Sequence, residues 1–366
     1  MNYVKQLDTL RIFAVFGVVL SHWIVGPKLV DRTSILAKFP LSTMVDFFFV
    51  LSGFLITTIL LTNREDADLT GKTNFNILKS FYIRRALRIL PIYYLYILVT
   101  YRLFPGTIPN FDNSKWFYLT HSINFYYYLI NAWEGVNGHF WSLSVEEQFY
   151  LVWPFVILYS PRKHLIHSII LFIIIGSLSQ VLFSETSSFF GKLPFSCLDC
   201  FGLGGLLSYL MKYHENSKQK FAGILLVGAI VSFFIIYLSL RFSFDFVIPK
   251  RTLAGIISMW LVFYIVYKQS SENFFYQKIL GNHVLTYLGK LSYGVYIYHN
   301  IIPYIPVFEY LNKAWAIVAP SSLLALTNHH VVKWTLLLNG SFLLMVSIIS
   351  YQLIEKPFLS FKRYFN

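Results

Sequence analysis

Apolar stretches of roughly 16–22 residues recur along the chain from Arg11 to Glu355, and each is about the length that crosses a ~30 Å hydrocarbon core as a helix. With 56% of the 366 residues hydrophobic and only 13% charged, there is not enough polar surface to solvate a compact soluble body of this size. The pattern predicts an all-α fold, a polytopic transmembrane helical bundle. The stretches leave no room for a separate soluble domain, so residues 1–366 are read as a single integral-membrane domain.

Ten spans are expected at about 8–26, 41–62, 87–104, 139–159, 165–183, 196–211, 221–240, 251–268, 284–305 and 335–355. An even number puts both termini on one side. With the N-terminus inside, 19 Lys and Arg residues fall on the inner side and 11 on the outer. This excess favours an N-in, C-in arrangement by the positive-inside rule, with the loop at 241–251 a basic exception. The same dispersal accounts for the net charge of +13 without nucleic acid, which calls for basic residues gathered on one face or tail. No small-residue cleavage site follows the first apolar run, Ile12 to Val25, so a retained span is expected there rather than a signal peptide.

Asn63 to Lys79 reads as the longest inner loop, after which Pro91 falls in the first turn or so of the third helix, where a missing N–H costs little. Residues 112–138 contain an aromatic and apolar run, Trp116 to Ile130, together with His121, Asn124 and three consecutive tyrosines. An interfacial or re-entrant element on the outer side is expected there. Cys197 and Cys200 form a C-x-x-C without the strand and helix alternation of a redox domain, and read as structural. Gly202, Gly204 and Gly205 read as close helix packing.

Several polar side chains stand out against this background. Arg11 and His22 are separated by eleven positions, so on a helix they lie roughly 20° apart in azimuth and about 16 Å apart along the axis. They share one face at two depths, with His22 in the outer part of the membrane. Asp46, ahead of Phe47-Phe48-Phe49, comes to about the depth of His22, where a carboxylate needs a partner. The fourth span opens with His139, Trp141, Ser142 and Ser144 and runs into Glu146-Glu147-Gln148. Adjacent helical residues diverge by about 100°, so one glutamate is expected to work and the other to be structural.

On the inner side, Arg84, Arg85 and Arg88 stand at the start of the third span and Arg11 at the same level of the first. Arginines gathered at one depth suit bidentate capture of phosphate, although headgroup contact explains most such residues. Later, Ser292-Tyr293 is followed by His299 near the outer end of the ninth span, and Glu355-Lys356-Pro357 closes the last. His299 on its own reads as a hydrogen-bonded core histidine. His329-His330 has no further ligands at metal-site spacing, so it reads as surface and no metal is expected.

Together these residues resemble the type-3 membrane acyltransferases, a family that O-acylates bacterial surface and exported sugars. The resemblance runs from Asp8, Arg11 and His22 through Asp46-Phe-Phe-Phe-Val-Leu-Ser52-Gly53-Phe54, Arg85-x-x-Arg88 and Trp141-Ser-Leu-Ser-Val-Glu-Glu-Gln-Phe-Tyr150. It continues to Ser292-Tyr293, His299 and Glu355-x-Pro357. It implies ten core helices in a bacterial cytoplasmic membrane, an acyl-CoA donor drawn from the cytoplasm, and His22 as the essential catalytic residue. Arg11, Arg85 and Arg88 would belong to the donor side. The family includes members with an extra helix and an external esterase-like domain. This chain has neither up to Asn366, so direct transfer or hand-off to another protein is expected, and peptidoglycan is weakly disfavoured as acceptor.

The expected chemistry is transfer of an acyl group, acetyl foremost, from acyl-CoA to a carbohydrate hydroxyl, including that of a lipid-linked sugar. The sugars of lipopolysaccharide, capsule, exopolysaccharide and peptidoglycan are within this class. His22 acts as general base, with Glu146, Glu147 or Asp46 fixing its tautomer, or else as an acyl-histidine nucleophile. The rival reading is a secondary transporter or lipid-linked-sugar flippase, which explains buried carboxylates but not phosphate-binding arginines one pantetheine length below a base.

Overall fold

The computed structural model describes residues 4–25, 43–242, 246–268, 273–305 and 331–365; His329-His330 lies outside them. The described residues form helices and connecting turns, with no strand among them. In chain order the helices are α1 (Gln6–Leu20), α2 (Met44–Thr70), α3 (Asn74–Leu103), α4 (Phe111–Leu119), α5 (Ile123–Ile130), α6 (Phe140–Tyr159) and α7 (Leu165–Phe183). They continue with α8 (Leu198–Tyr213), α9 (Lys218–Phe242), α10 (Lys250–Tyr267), α11 (His283–Lys290), α12 (Ser292–Tyr298), α13 (Val331–Ser350) and α14 (Lys356–Ser360).

Among the described residues, seven helices are long and apolar enough to cross a membrane: Met44–Thr70, Asn74–Leu103, Arg162–Phe183, Pro194–Tyr213, Lys218–Phe242, Lys250–Tyr267 and Leu336–Tyr364. Their outward faces are apolar; on α9, Val227, Val231, Phe233 and Phe234 are all exposed. A contiguous apolar surface of this kind is tolerable in lipid and not in water. The chain is a multi-pass membrane protein.

Three of the ten expected spans fall outside this set. The first is a 15-residue α-helix continued by a π-helical stretch, Ser21–Val25. The fourth, α6, is 20 residues long and carries Glu146, Glu147 and Gln148 within it. The ninth is not continuous. It breaks at Leu291, whose N–H bonds to Leu288 O at 3.0 Å in a tightened turn. Just before the break, Gly289 presses on the Asp8 backbone so closely that a Cβ there would overlap it.

The loop expected at 63–79 is also largely helical. α2 runs on to Thr70 and closes on Gly71, which takes a left-handed φ of 72°, a conformation that glycine adopts without penalty. The extension is tied down by an ion pair of Glu65 with Lys212 at 2.6 Å and by Arg64 donating to Ile157 O at 2.6 Å. α3 then begins at Asn74, capped by the Thr73 hydroxyl, which accepts from Asn76 N at 3.3 Å. Pro91 therefore sits inside α3 and not in its first turn. Residues 112–138 form the short helices α4 and α5 and a turn leading to α6.

α2 is the hub of the bundle, packing against α1, α3, α6, α8 and α10. Its seam with α8 is made by Gly53 against the Phe201 carbonyl and Gly204 against the Val50 carbonyl, approaches that leave no space for a Cβ. Trp153 of α6 closes the centre, donating to Thr57 Oγ1 at 2.8 Å.

Candidate functional site

A cavity of about 960 Å³ opens between α1, α2, α3, α6 and α12. One end is basic. Seven of its lining side chains are Lys or Arg, among them Arg11, Arg84, Arg85 and Arg88, against three carboxylates, Asp66, Glu146 and Glu147. The geometry of α3 explains the convergence, because Arg84, Arg85 and Arg88 span little more than one turn. Arg85 lies over the Tyr150 ring at 4.6 Å and near that of Phe81 at 5.8 Å, a stacking that orients the planar guanidinium. Arg11 is held by Asp8 one turn earlier on α1. An excess of positive charge in a shared cavity is unfavourable until an anion with several charged oxygens enters it.

Further along, both glutamates of α6 line the cavity. The Glu146 carboxylate accepts from the hydroxyls of Ser52 and Tyr150, and Arg85 is a charged neighbour of Glu147. Both glutamates face the same space, although adjacent helical positions diverge by about 100°. At the far end the wall is made by Ser142 and Tyr296, whose hydroxyls bond to each other.

Behind that wall lie three histidines from three helix ends. His22 follows α1 within the π-helical stretch, His139 immediately precedes α6, and His299 caps the C-terminus of α12. His22 Nδ1 is 2.7 Å from His299 Nε2, and their rings stack at 4.9 Å with 12° between planes. The His139 ring stands edge-on to His299 at 4.6 Å, and its Nδ1 is 3.0 Å from Asn300 Nδ2. Tyr296 joins cavity and cluster, its hydroxyl donating to His139 O at 2.7 Å. His22 itself is not a lining residue. The change to π winding at Ser21 interrupts the regular 100° per residue that puts it on the face of Arg11, and such turns recur at functional sites.

No carboxylate hydrogen-bonds to His22 among the described contacts; its partner is His299. The expectation that Asp46 serves His22 is corrected by an ion pair: Arg251 Nε donates to Asp46 Oδ1 at 2.9 Å, with Asp46 only 5% exposed. Arg251 also donates to Gly191 O at 2.8 Å, Ser196 O at 3.0 Å and the Cys197 thiol at 3.3 Å. Cys197 and Cys200 are buried free thiols. Trp141 packs beside this network, with the Lys192 ammonium 4.6 Å from its ring and the Arg251 guanidinium 5.8 Å away. Burial, reinforced by the Arg251 charge, pulls the Lys192 amine down to about 8. Ser144 is buried, its hydroxyl without a hydrogen-bond partner among the described residues.

Arg251, Lys192 and Tyr296 were not among the residues singled out from the sequence. The basic exception at 241–251 was the one sign of Arg251, and nothing local marked the others. Among the described residues, no group of three or more His, Cys, Asp or Glu is arranged to hold a metal ion.

The site and fold define a helical membrane protein with a basic cavity leading to a cluster of three histidines. Comparison with known proteins gives the family. The family model described as an acyltransferase domain matches residues 4–353, and the chain belongs to that family, the type-3 acyltransferases. It is 26% identical, over 97% of its length, to the peptidoglycan O-acetyltransferase OatA of Listeria monocytogenes, covering 56% of that protein. It is 26% identical, over 98% of its length, to a provisionally named O-acetyltransferase of Staphylococcus aureus strain COL, covering 58% of it. A provisionally named peptidoglycan O-acetyltransferase of Bacillus subtilis is also 26% identical over 99% of the chain, with 56% of that protein covered. The chain thus spans somewhat over half the length of these relatives. No solved structure matches it.

Proposed function

We propose that this protein is an O-acyltransferase of the bacterial cytoplasmic membrane that carries an acyl group, acetyl foremost, from cytoplasmic acyl-CoA to a carbohydrate hydroxyl at the outer face. The observation that carries the reading is the continuity of one cavity from Arg11, Arg84, Arg85 and Arg88 to the Ser142–Tyr296 wall of the histidine cluster. The arginines suit the phosphates of CoA, and guanidinium forks bind phosphate oxygens in pairs. The ~16 Å of helix between Arg11 and His22 is commensurate with a pantetheine arm reaching from the phosphates to the base.

In the proposed reaction, His22 removes the proton from the acceptor hydroxyl as its oxygen attacks the thioester carbonyl. The tetrahedral intermediate collapses with breakage of the C–S bond, and the protonated His22 returns that proton to the departing thiolate. Acyl ester and CoA thiol are the products. A carbohydrate acceptor is supported by the peptidoglycan O-acetyltransferases among the relatives, so peptidoglycan stands in that class beside other exported glycans.

The test uses purified protein in nanodiscs, incubated with radiolabelled acetyl-CoA and glycan fragments. The reading predicts saturable acetyl-CoA binding and label on the glycan as an alkali-labile ester. A folded protein that binds no acyl-CoA would leave the basic cavity without its proposed ligand and overturn the reading.

A further inference from the structure

His299 is fully buried, at 0% exposure, and both of its ring nitrogens are engaged. Nδ1 lies 2.6 Å from Tyr296 O, and Nε2 lies 2.7 Å from His22 Nδ1. The two contacts constrain each other. A carbonyl oxygen only accepts, so the hydrogen joining His299 to Tyr296 must reside on Nδ1. In a neutral imidazole the other nitrogen is then a bare acceptor. The bond between the rings still needs one hydrogen, and His299 Nε2 does not supply it. His22 Nδ1 therefore does. His22 is held as the Nδ1–H tautomer, leaving the lone pair on Nε2.

A doubly protonated His299 would escape this chain of constraint. It would also place a charge on a fully buried ring whose hydrogen-bond partners are a carbonyl and an imidazole, with no carboxylate, an arrangement that desolvation disfavours. Two of the carboxylates expected to serve His22 are committed elsewhere, Glu146 to Ser52 and Tyr150 and Asp46 to Arg251. The backbone around His299 is fixed as well. Trp23 Nε1 donates to its carbonyl at 2.9 Å, and its N–H bonds to Val295 O at 3.1 Å.

We propose that His299 is a positioning residue that relays the orientation of the Tyr296 carbonyl into the tautomer of His22, presenting the His22 Nε2 lone pair to the acceptor hydroxyl. The role filled by a carboxylate in a serine-protease triad is filled here by a neutral imidazole anchored on a backbone carbonyl. The proposal rests on the general-base reading of His22. When Nε2 takes the acceptor proton, the His22 imidazolium keeps its Nδ1–H pointed at His299 Nε2. No proton passes between the rings, and Nε2 gives its proton to the thiolate, so His299 ends the cycle unchanged.

The decisive measurement is ¹⁵N NMR of the histidine-labelled protein in nanodiscs, with the His22 ring signals identified by their loss in His22→Gln. The expected spectrum shows Nδ1 protonated and Nε2 bare in the neutral ring. An Nε2–H tautomer of His22 overturns the proposal, whatever the activity of any variant.

Kinetics gives the second readout. His299→Phe is expected to lower kcat by about 10²–10⁴-fold, the scale on which a wrong tautomer acts, with the acyl-CoA KM changed less than about threefold. His299→Gln offers an amide oxygen to His22 Nδ1–H, and is expected to recover at least about tenfold of that loss. A folded His299→Gln no better than His299→Phe contradicts the relay. An active His22→Gln would remove the general-base reading, while the wild-type tautomer would still report on His299 independently.

Discussion

Asp46 and Arg251, 205 positions apart in sequence, form a buried ion pair at 2.9 Å, and the guanidinium extends the contact to the backbone carbonyls of Gly191 and Ser196. The pair ties the start of α2 to the start of α10 and to the turn before α8. Its chemistry is that of a structural clamp.

Removing one partner strands the other. Arg251→Ala is expected to destabilise the protein by about 3–5 kcal/mol, because a buried carboxylate loses its counter-charge. Asp46→Asn should cost less, since the amide oxygen can still accept from Arg251. Thermal unfolding in detergent or nanodiscs is the check. Unchanged melting of Asp46→Ala with complete loss of transfer would return Asp46 to the catalytic group.

The donor end makes a separable prediction. Replacing Arg85 and Arg88 together with Ala should raise the acyl-CoA KM by at least about tenfold, because each guanidinium is assigned a charge-assisted phosphate contact. Lys at both positions should rescue only partly, since the planar fork is lost and, at Arg85, the stacking on Tyr150 with it. An unchanged KM in the folded double variant would remove both from the donor site.

Much of this arrangement was legible in the sequence. Apolar runs located the long helices, and the spacing of Arg84, Arg85 and Arg88 was enough to place them at one depth. What the sequence could not show depended on distant partners. Nothing near Asp46 points to Arg251. The hydrophobic pattern continues through Leu291, so nothing in it marks the break between α11 and α12. The polar run 63–79 is largely helical, and within it Glu65 and Arg64 find partners on α8 and α6. His22 and His299 were each visible as histidines within expected spans, but 277 residues separate them, and no local spacing signals their stacking.

Orientation in the membrane has its own test. In a Cys197→Ala, Cys200→Ala background, cysteines placed at the exposed positions Thr70 and Asn113 should react with impermeant reagents from opposite sides. Thr70, near the arginine end, should label from the cytoplasm and Asn113 from outside, in keeping with the positive-inside bias. Outside labelling at Thr70 would invert the direction of transfer.

The central claim is that His22 supplies the base, and the most direct measurement is acyl transfer by purified His22→Gln alongside its acyl-CoA affinity. Glutamine can hydrogen-bond to His299 but cannot take a proton near neutral pH. Transfer should therefore fall to background, while acyl-CoA binding stays nearly intact, because the arginine grip lies about three helical turns away. Substantial transfer by folded His22→Gln would contradict the account and reduce the three-histidine cluster to a structural polar core.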